Sequence, residues 1–202
     1  LESVSEYPFT VNFFPIHVPK LSMADLDTEI RFQQNLKRQP SDWYYRHNSV
    51  TYTINSQQYR CNDFKKIDWE NSIVILGCSN VFGTGVDDKD TISSRLQELT
   101  KFNVVNLGAG GTSQQFSLYN MILLKKHNIK PKAIIHVWTH CNRIMLVDNN
   151  DIQRIGGHWN NWGLDLKYQY GFIFSDYKTH TFNFKYNRMI TDLLYGDTPI
   201  IH

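Results

Sequence analysis

Three apolar, largely β-branched runs, Ile73–Leu76, Val104–Leu107 and Ala133–Trp138, recur about thirty residues apart, with helix-period segments between them. Short continuous apolar runs closed by turn signals read as strands buried on both faces. Strand–helix–strand–helix–strand makes two crossover units, and such crossovers wind right-handed and join parallel strands. The spacing therefore predicts an α/β domain built on a parallel sheet. In the first intervening segment Asp90 is the expected N-cap, with Ile92, Leu96 and Leu99 on one face. In the second, Ser113 caps a helix reaching Lys126, with Phe116, Tyr119 and Leu123 on one face, and Pro131 ends the connection. Pro199-Ile200-Ile201-His202 reads as the start of a fourth core strand.

The flanks read differently. Pro8, Pro15 and Pro19 argue against regular structure in the first twenty residues. Met23–Lys37 is expected to be helical, with Ser22 as N-cap, Asp25, Asp27 and Glu29 near its start, and Pro40 as its stop. Trp43-Tyr44-Tyr45 and Val50–Ile54 have the aromatic and β-branched character of short strands, and Asn55-Ser56 is a turn signal. The expected organisation is an irregular extension over residues 1–70 packed on an α/β domain of residues 71–202. Beyond Trp138, Asn149-Asn150-Asp151 and Gly156-Gly157 mark loops. Tyr168–Phe174 and Thr181–Tyr186 read as a hairpin around Asp176-Tyr177-Lys178, and Asn187–Tyr195 as a short helix stopped by Gly196.

Composition narrows the function classes. A formal charge of +2 on 202 residues argues against nucleic acid or a charged membrane surface as partner. Lys65-Lys66 and Lys125-Lys126 read as solvated pairs, and no apolar run is long enough to span a bilayer. The first residues lack the basic start and apolar centre of a signal peptide, so a cytoplasmic location is expected. The three cysteines, Cys61, Cys78 and Cys141, are odd in number and lack metal-site spacing, which favours a reducing compartment.

Parallel strands put the loops that follow them on one edge, where open α/β sheets bind ligands. Those loops are Gly77-Cys78-Ser79, Gly108-Ala109-Gly110-Gly111 and Thr139-His140-Cys141-Asn142. The Ser79 hydroxyl, the Gly111 amide and the Asn142 side chain are thereby expected to share one crevice, the arrangement acyl transfer needs: a nucleophile beside donors for an oxyanion.

These blocks resemble those of the SGNH hydrolases, the GDSL-type esterase and lipase superfamily. Gly77-Cys78-Ser79 with Phe82-Gly83-Thr84-Gly85 resembles the serine block. Val104–Ser113 resembles the glycine block, Val137–Asn142 the asparagine block, and Thr53–Arg60 a segment often found upstream of the serine. The resemblance covers roughly residues 50–145. It implies a three-layer α/β/α sandwich of flavodoxin-like type, with Ser79 as nucleophile. The Ser79 amide, the Gly111 amide and Asn142 would form the oxyanion hole. The substrate would be a small-molecule or carbohydrate ester, cleaved through an acyl-enzyme without a cofactor. Two features depart from the pattern. Cys78 stands where the family has Asp. The late Asp-x-x-His that supplies the base is absent: Asp176 and His180, and Asp197 and His202, are spaced otherwise, and the chain ends one crossover before the expected place. A catalytically inactive binding or structural module of the same fold is therefore the competing expectation.

Other readings of the same residues stay open. Ser79 can be a turn residue, and Asn142 a cap. Gly108–Gly111 can cradle a phosphate, although the dinucleotide fingerprint fits badly. His136, His140 and Cys141, with Cys61, Cys78 and His158, could bind zinc; a hydrogen-bonded core histidine is the expectation for His136. Trp138, Trp159 and Trp162 offer a sugar platform or ordinary packing. Arg143 offers an anion contact or a solvated surface cation.

Overall fold

The computed structural model describes residues 29–48, 50, 52–141, 143–148, 151–156 and 177–202. Helix α1 (Glu29–Arg38) and the single turn α2 (Tyr44–His47) precede the sheet. Then follow β1 (Ser72–Leu76), the single turn α3 (Ser79–Phe82), α4 (Ile92–Thr100), β2 (Asn103–Asn106), α5 (Gln114–Lys126) and β3 (Ala133–His136). Strands β4 (Arg143–Asp148) and β5 (Asp151–Gly156), helix α6 (Tyr177–Leu194) and strand β6 (Ile200–Ile201) complete the order.

The fold is mixed α/β around a four-stranded sheet of order β2-β1-β3-β6, with every pairing parallel. β1 is central and all five of its residues are buried. Its alternate side chains serve two cores, which is why its sequence is apolar without alternation. On one face Val74, Leu76, Val105, Leu107 and Ile134 meet Phe116, Met121 and Leu124 of α5. On the other Ile73, Ile75 and Val104 meet Val81, with Leu96 packed against them. Each such side chain contributes about 1.5–3 kcal/mol by leaving water. β6 forms where the Pro199–His202 run predicts a fourth strand.

Segments around the sheet correct several expectations. Helix α1 overlaps the Met23–Lys37 prediction from Glu29 onward, and the earlier part lies outside the described residues. Tyr44 and Tyr45 belong to a helical turn, not a strand. Their hydroxyls donate to the Asp87 carboxylate and the Gly85 carbonyl, so tertiary partners override the aromatic strand preference. Tyr52 and Ile54 join no strand; they pack with Val50 and Phe82 in a small core of their own.

The cap of α4 is Thr91, whose hydroxyl accepts from the Ser94 amide at 3.1 Å, while Asp90 belongs to the preceding 3₁₀ turn. Ile92 and Leu99 are exposed and Ser93 is buried, so of the predicted apolar face only Leu96 packs on the core. Ser113 does occupy the N-cap position of α5 but makes no capping hydrogen bond. Thr181–Tyr186 is part of α6 rather than a hairpin strand, and Tyr168–Phe174 lies outside the described residues. The described hairpin is instead β4–β5, an antiparallel pair separate from the main sheet. Among the described residues no helix is long and apolar enough to cross a membrane.

Candidate functional site

The loops after β1, β2 and β3 meet at the carboxyl edge of the sheet and are tied to one another. The Gly77 carbonyl accepts from the Ala109 amide at 3.2 Å and from the Thr112 hydroxyl at 3.5 Å, joining the serine loop to the glycine loop. Gln114 Nε2 donates to the Thr139 carbonyl at 3.0 Å, joining the start of α5 to the loop after β3. The Val137 amide donates to the Leu76 carbonyl at 2.8 Å, extending β3 alongside the end of β1.

Asn106, fully buried at the end of β2, fixes this corner. Its Nδ2 donates to the Val81 carbonyl at 2.7 Å and the Ser93 hydroxyl at 3.2 Å, and its Oδ1 accepts from the Gly108 amide at 2.9 Å. Gly108 must be glycine here, because a Cβ would lie 2.6 Å from Val81 Cγ1 and 2.7 Å from the Phe82 nitrogen. That close approach lets the glycine loop lie directly against α3.

Ser79 opens α3 and is half-buried. Its hydroxyl donates to Cys78 Sγ at 3.9 Å, and no imidazole is its partner among the described residues. Cys78 is buried, which alone would raise its pKa. The Thr139 hydroxyl, the Asn80 amide, the Arg143 charge and the Ser79 hydroxyl outweigh that burial and hold the thiol below its ordinary value. Arg143 is accordingly no solvated surface cation: it is half-buried, and its Nη1 is buried without a hydrogen-bond partner. Gly111 sits in the left-handed region at φ 71°, which a glycine adopts freely, and lies in the loop bonded to Gly77. The buried hydroxyl of Ser113, two residues on, also lacks a partner. Asn142, the third predicted site residue, lies outside the described residues, as do Trp159 and Trp162.

One organising residue went unrecognised in the sequence. Arg60, with its side chain 3% exposed, reaches under the loop that follows α3. Its Nε donates to Asp88 Oδ1 at 2.7 Å, Nη1 to the Phe82 and Gly83 carbonyls at 3.1 and 2.7 Å, and Nη2 to the Val86 carbonyl at 2.7 Å. The guanidinium also lies 4.4 Å from the centre of the Tyr52 ring, and the Tyr52 hydroxyl accepts from the Gly85 amide at 2.6 Å. The signal available in sequence was an arginine set among Tyr59, Cys61 and Phe64, all drawn inward. Tyr59, 0% exposed, donates to Asn120 Oδ1 at 2.8 Å, and burial drives its phenol pKa well above the ordinary value. A cleft of about 210 Å³ lies beside Arg60, lined by Asp88, Thr91, Ser93, Gln97 and Asn103; neither Ser79 nor Gly111 lines it.

A second polar cluster occupies the β3–β6 side of the same edge. His136 is buried as expected, but neither ring nitrogen has a hydrogen-bond partner, contrary to the expectation of a bonded core histidine. Burial, with His202 nearby, lowers its pKa to about 3, so it is neutral at pH 7. Its ring stacks on Trp138 at 3.9 Å between centroids, and Trp138 stacks on His202 at 5.7 Å. Trp138 Nε1 donates to His202 Nδ1 at 3.1 Å, and His202 Nε2 lies 2.9 Å from Asp192 Oδ1. An indole N–H only donates, so Nδ1 accepts and Nε2 carries the proton toward Asp192. Ring packing, not an open sugar platform, accounts for Trp138. The Asp192–His202 pair joins α6 to the end of β6 at a spacing unlike Asp-x-x-His.

Among the described residues no group of three or more His, Cys, Asp or Glu side chains is arranged to hold a metal, and the three cysteines are free thiols. Comparison with protein-family models gives no match for this chain, and comparison with curated proteins gives none either.

Proposed function

We propose that this chain is a serine ester hydrolase of the SGNH type, with a flavodoxin-like α/β/α sandwich as its architecture. The observation that carries the reading is the tie between Gly77 and the Ala109–Thr112 segment, which holds the Ser79 turn against the Gly111 turn at the carboxyl edge of the parallel sheet. In the proposed reaction Ser79 Oγ bonds to the acyl carbon of a small-molecule or carbohydrate ester. The carbonyl electron pair moves onto oxygen, where the Ser79 and Gly111 amides and the Asn142 side chain donate to it. The ester C–O bond breaks, the alcohol leaves with a proton, and water then releases the acid and restores the Ser79 hydroxyl. No cofactor enters this chemistry.

A second reading has its own observation. The Ser79 hydroxyl donates to a thiol rather than to an imidazole, and both nitrogens of His202 are engaged by Trp138 and Asp192. That favours a module that binds an ester or acyl group without turning it over. Incubation with a fluorophosphonate separates the two. Covalent labelling lost in Ser79→Ala, together with hydrolysis of a short-chain aryl ester, supports the hydrolase. A folded protein that neither labels nor hydrolyses overturns it and leaves the binding module.

A further inference from the structure

Helix α6 packs Phe184 on Trp138 and Leu194 on the main core, yet carries a second apolar stripe on the side turned to water. The side turned into the protein carries Asn187 and Thr191, 6% and 0% exposed, whereas Phe182, Tyr186, Met189 and Leu193 are 67%, 48%, 54% and 75% exposed. These four recur at intervals of four, three and four residues, the seam spacing of paired helices. The Phe182 and Tyr186 rings already lie nearly parallel, with centroids 6.2 Å apart and planes at 11°. A contiguous apolar stripe of this kind on a water-facing helix marks an interaction surface.

We propose that this stripe is a self-association surface on which a second copy of this chain docks its own α6 in antiparallel orientation. Phe182 then meets Leu193 of the partner subunit, and Tyr186 meets Met189 of the partner subunit. Charge selects this occupant and this direction. Lys185 and Asp192 flank the seam on the same side and are both exposed. With the two-fold axis between positions 187 and 188, Lys185 lies about two residues, or roughly 3 Å along the axis, from Asp192 of the partner subunit, and the pair forms twice. A parallel pairing would set Lys185 beside Ile190 and leave it without a carboxylate, while Asp192 would keep only its His202 partner within the chain. The total buried is on the order of 1,000 Å², at the low end of specific interfaces, so the dimer is concentration-dependent.

Sedimentation velocity on the 202-residue chain, from low micromolar to several hundred micromolar, tests this. The expected result is a shift from monomer to dimer with concentration. Leu193→Asp should be monomeric throughout, with an unchanged far-ultraviolet circular dichroism spectrum. Lys185→Asp should weaken association at least tenfold, and the exchange Lys185→Asp with Asp192→Lys should restore it. A monomer at the highest concentration overturns the proposal. So does a dimer undiminished in folded Leu193→Asp, and so does one indifferent to the charge exchange.

Discussion

Arg60 and His136 are buried to similar depth, 6% and 1% exposed, yet their surroundings are opposite. Arg60 enters the interior with partners at each nitrogen: a carboxylate at Nε and backbone carbonyls at Nη1 and Nη2. It holds the loop after α3 in a fixed shape. His136 enters with no hydrogen-bond partner, sheds its proton and behaves as a flat apolar disc against Trp138. Burial alone therefore does not decide what a polar side chain does. The groups waiting for it decide: Arg60 meets a carboxylate and carbonyls from a distant loop, and His136 meets no polar partner.

The largest effect should come from breaking the satisfied member. Arg60→Met takes one donor from Asp88, which keeps its bonds from Thr53, and from three backbone carbonyls, and should cost about 3 kcal/mol in denaturant unfolding. Arg60→Lys should recover only part of this, because a single ammonium does not reproduce the forked contacts. A loss below about 1 kcal/mol would mean that the loop finds other partners.

The unsatisfied member sets an acid limit. His136 is neutral when folded, with a pKa near 3, but gains a proton near 6.5 when unfolded. Between those values the unfolded chain binds the extra proton, so stability is complete above about 6.5 and falls as pH drops, by about 1.4 kcal/mol per pH unit. His136→Phe keeps the ring and removes the titration. Its stability should therefore lose about 2 kcal/mol less than the wild type between pH 6.5 and pH 5. Equal slopes would place the acid sensitivity elsewhere.

The smallest test applies the same contrast to two hydroxyls at helix starts. Thr91 caps α4, so Thr91→Ala should cost about 1 kcal/mol. Ser113 occupies the equivalent place before α5 without a bond, so Ser113→Ala should stay within about 0.5 kcal/mol of wild type. Thermal melts of the two variants side by side would settle the order.

What was legible in the sequence follows the same division. β1, β2 and β3 were readable because burial on two faces leaves one solution for runs such as Ile73–Leu76. Ser79 and Gly111 were readable as loop residues on one edge because parallel strands dictate it. Arg60, Asn106 and the shifted Cys78 were not, since each depends on partners from other elements: Val86 and Asp88, Val81 and Ser93, Thr139 and Arg143. Thr181–Tyr186 was misread because α6 turns Phe182 and Tyr186 outward and buries Asn187, which defeats a rule that expects apolar residues inside. Trp43–Tyr45 was misread because phenol hydroxyls with acceptors on the Gly85–Asp87 loop outweighed intrinsic preference.

The double acceptor at the Gly77 carbonyl has a dynamic consequence. Since the Ala109 amide is held by the residue two before Ser79, the opening of that single bond reports any loosening of the serine turn. Deuterium uptake at Ala109 is thus a built-in gauge of the turn: a molecule that clamps Ser79 should slow it, without any label placed in the crevice itself.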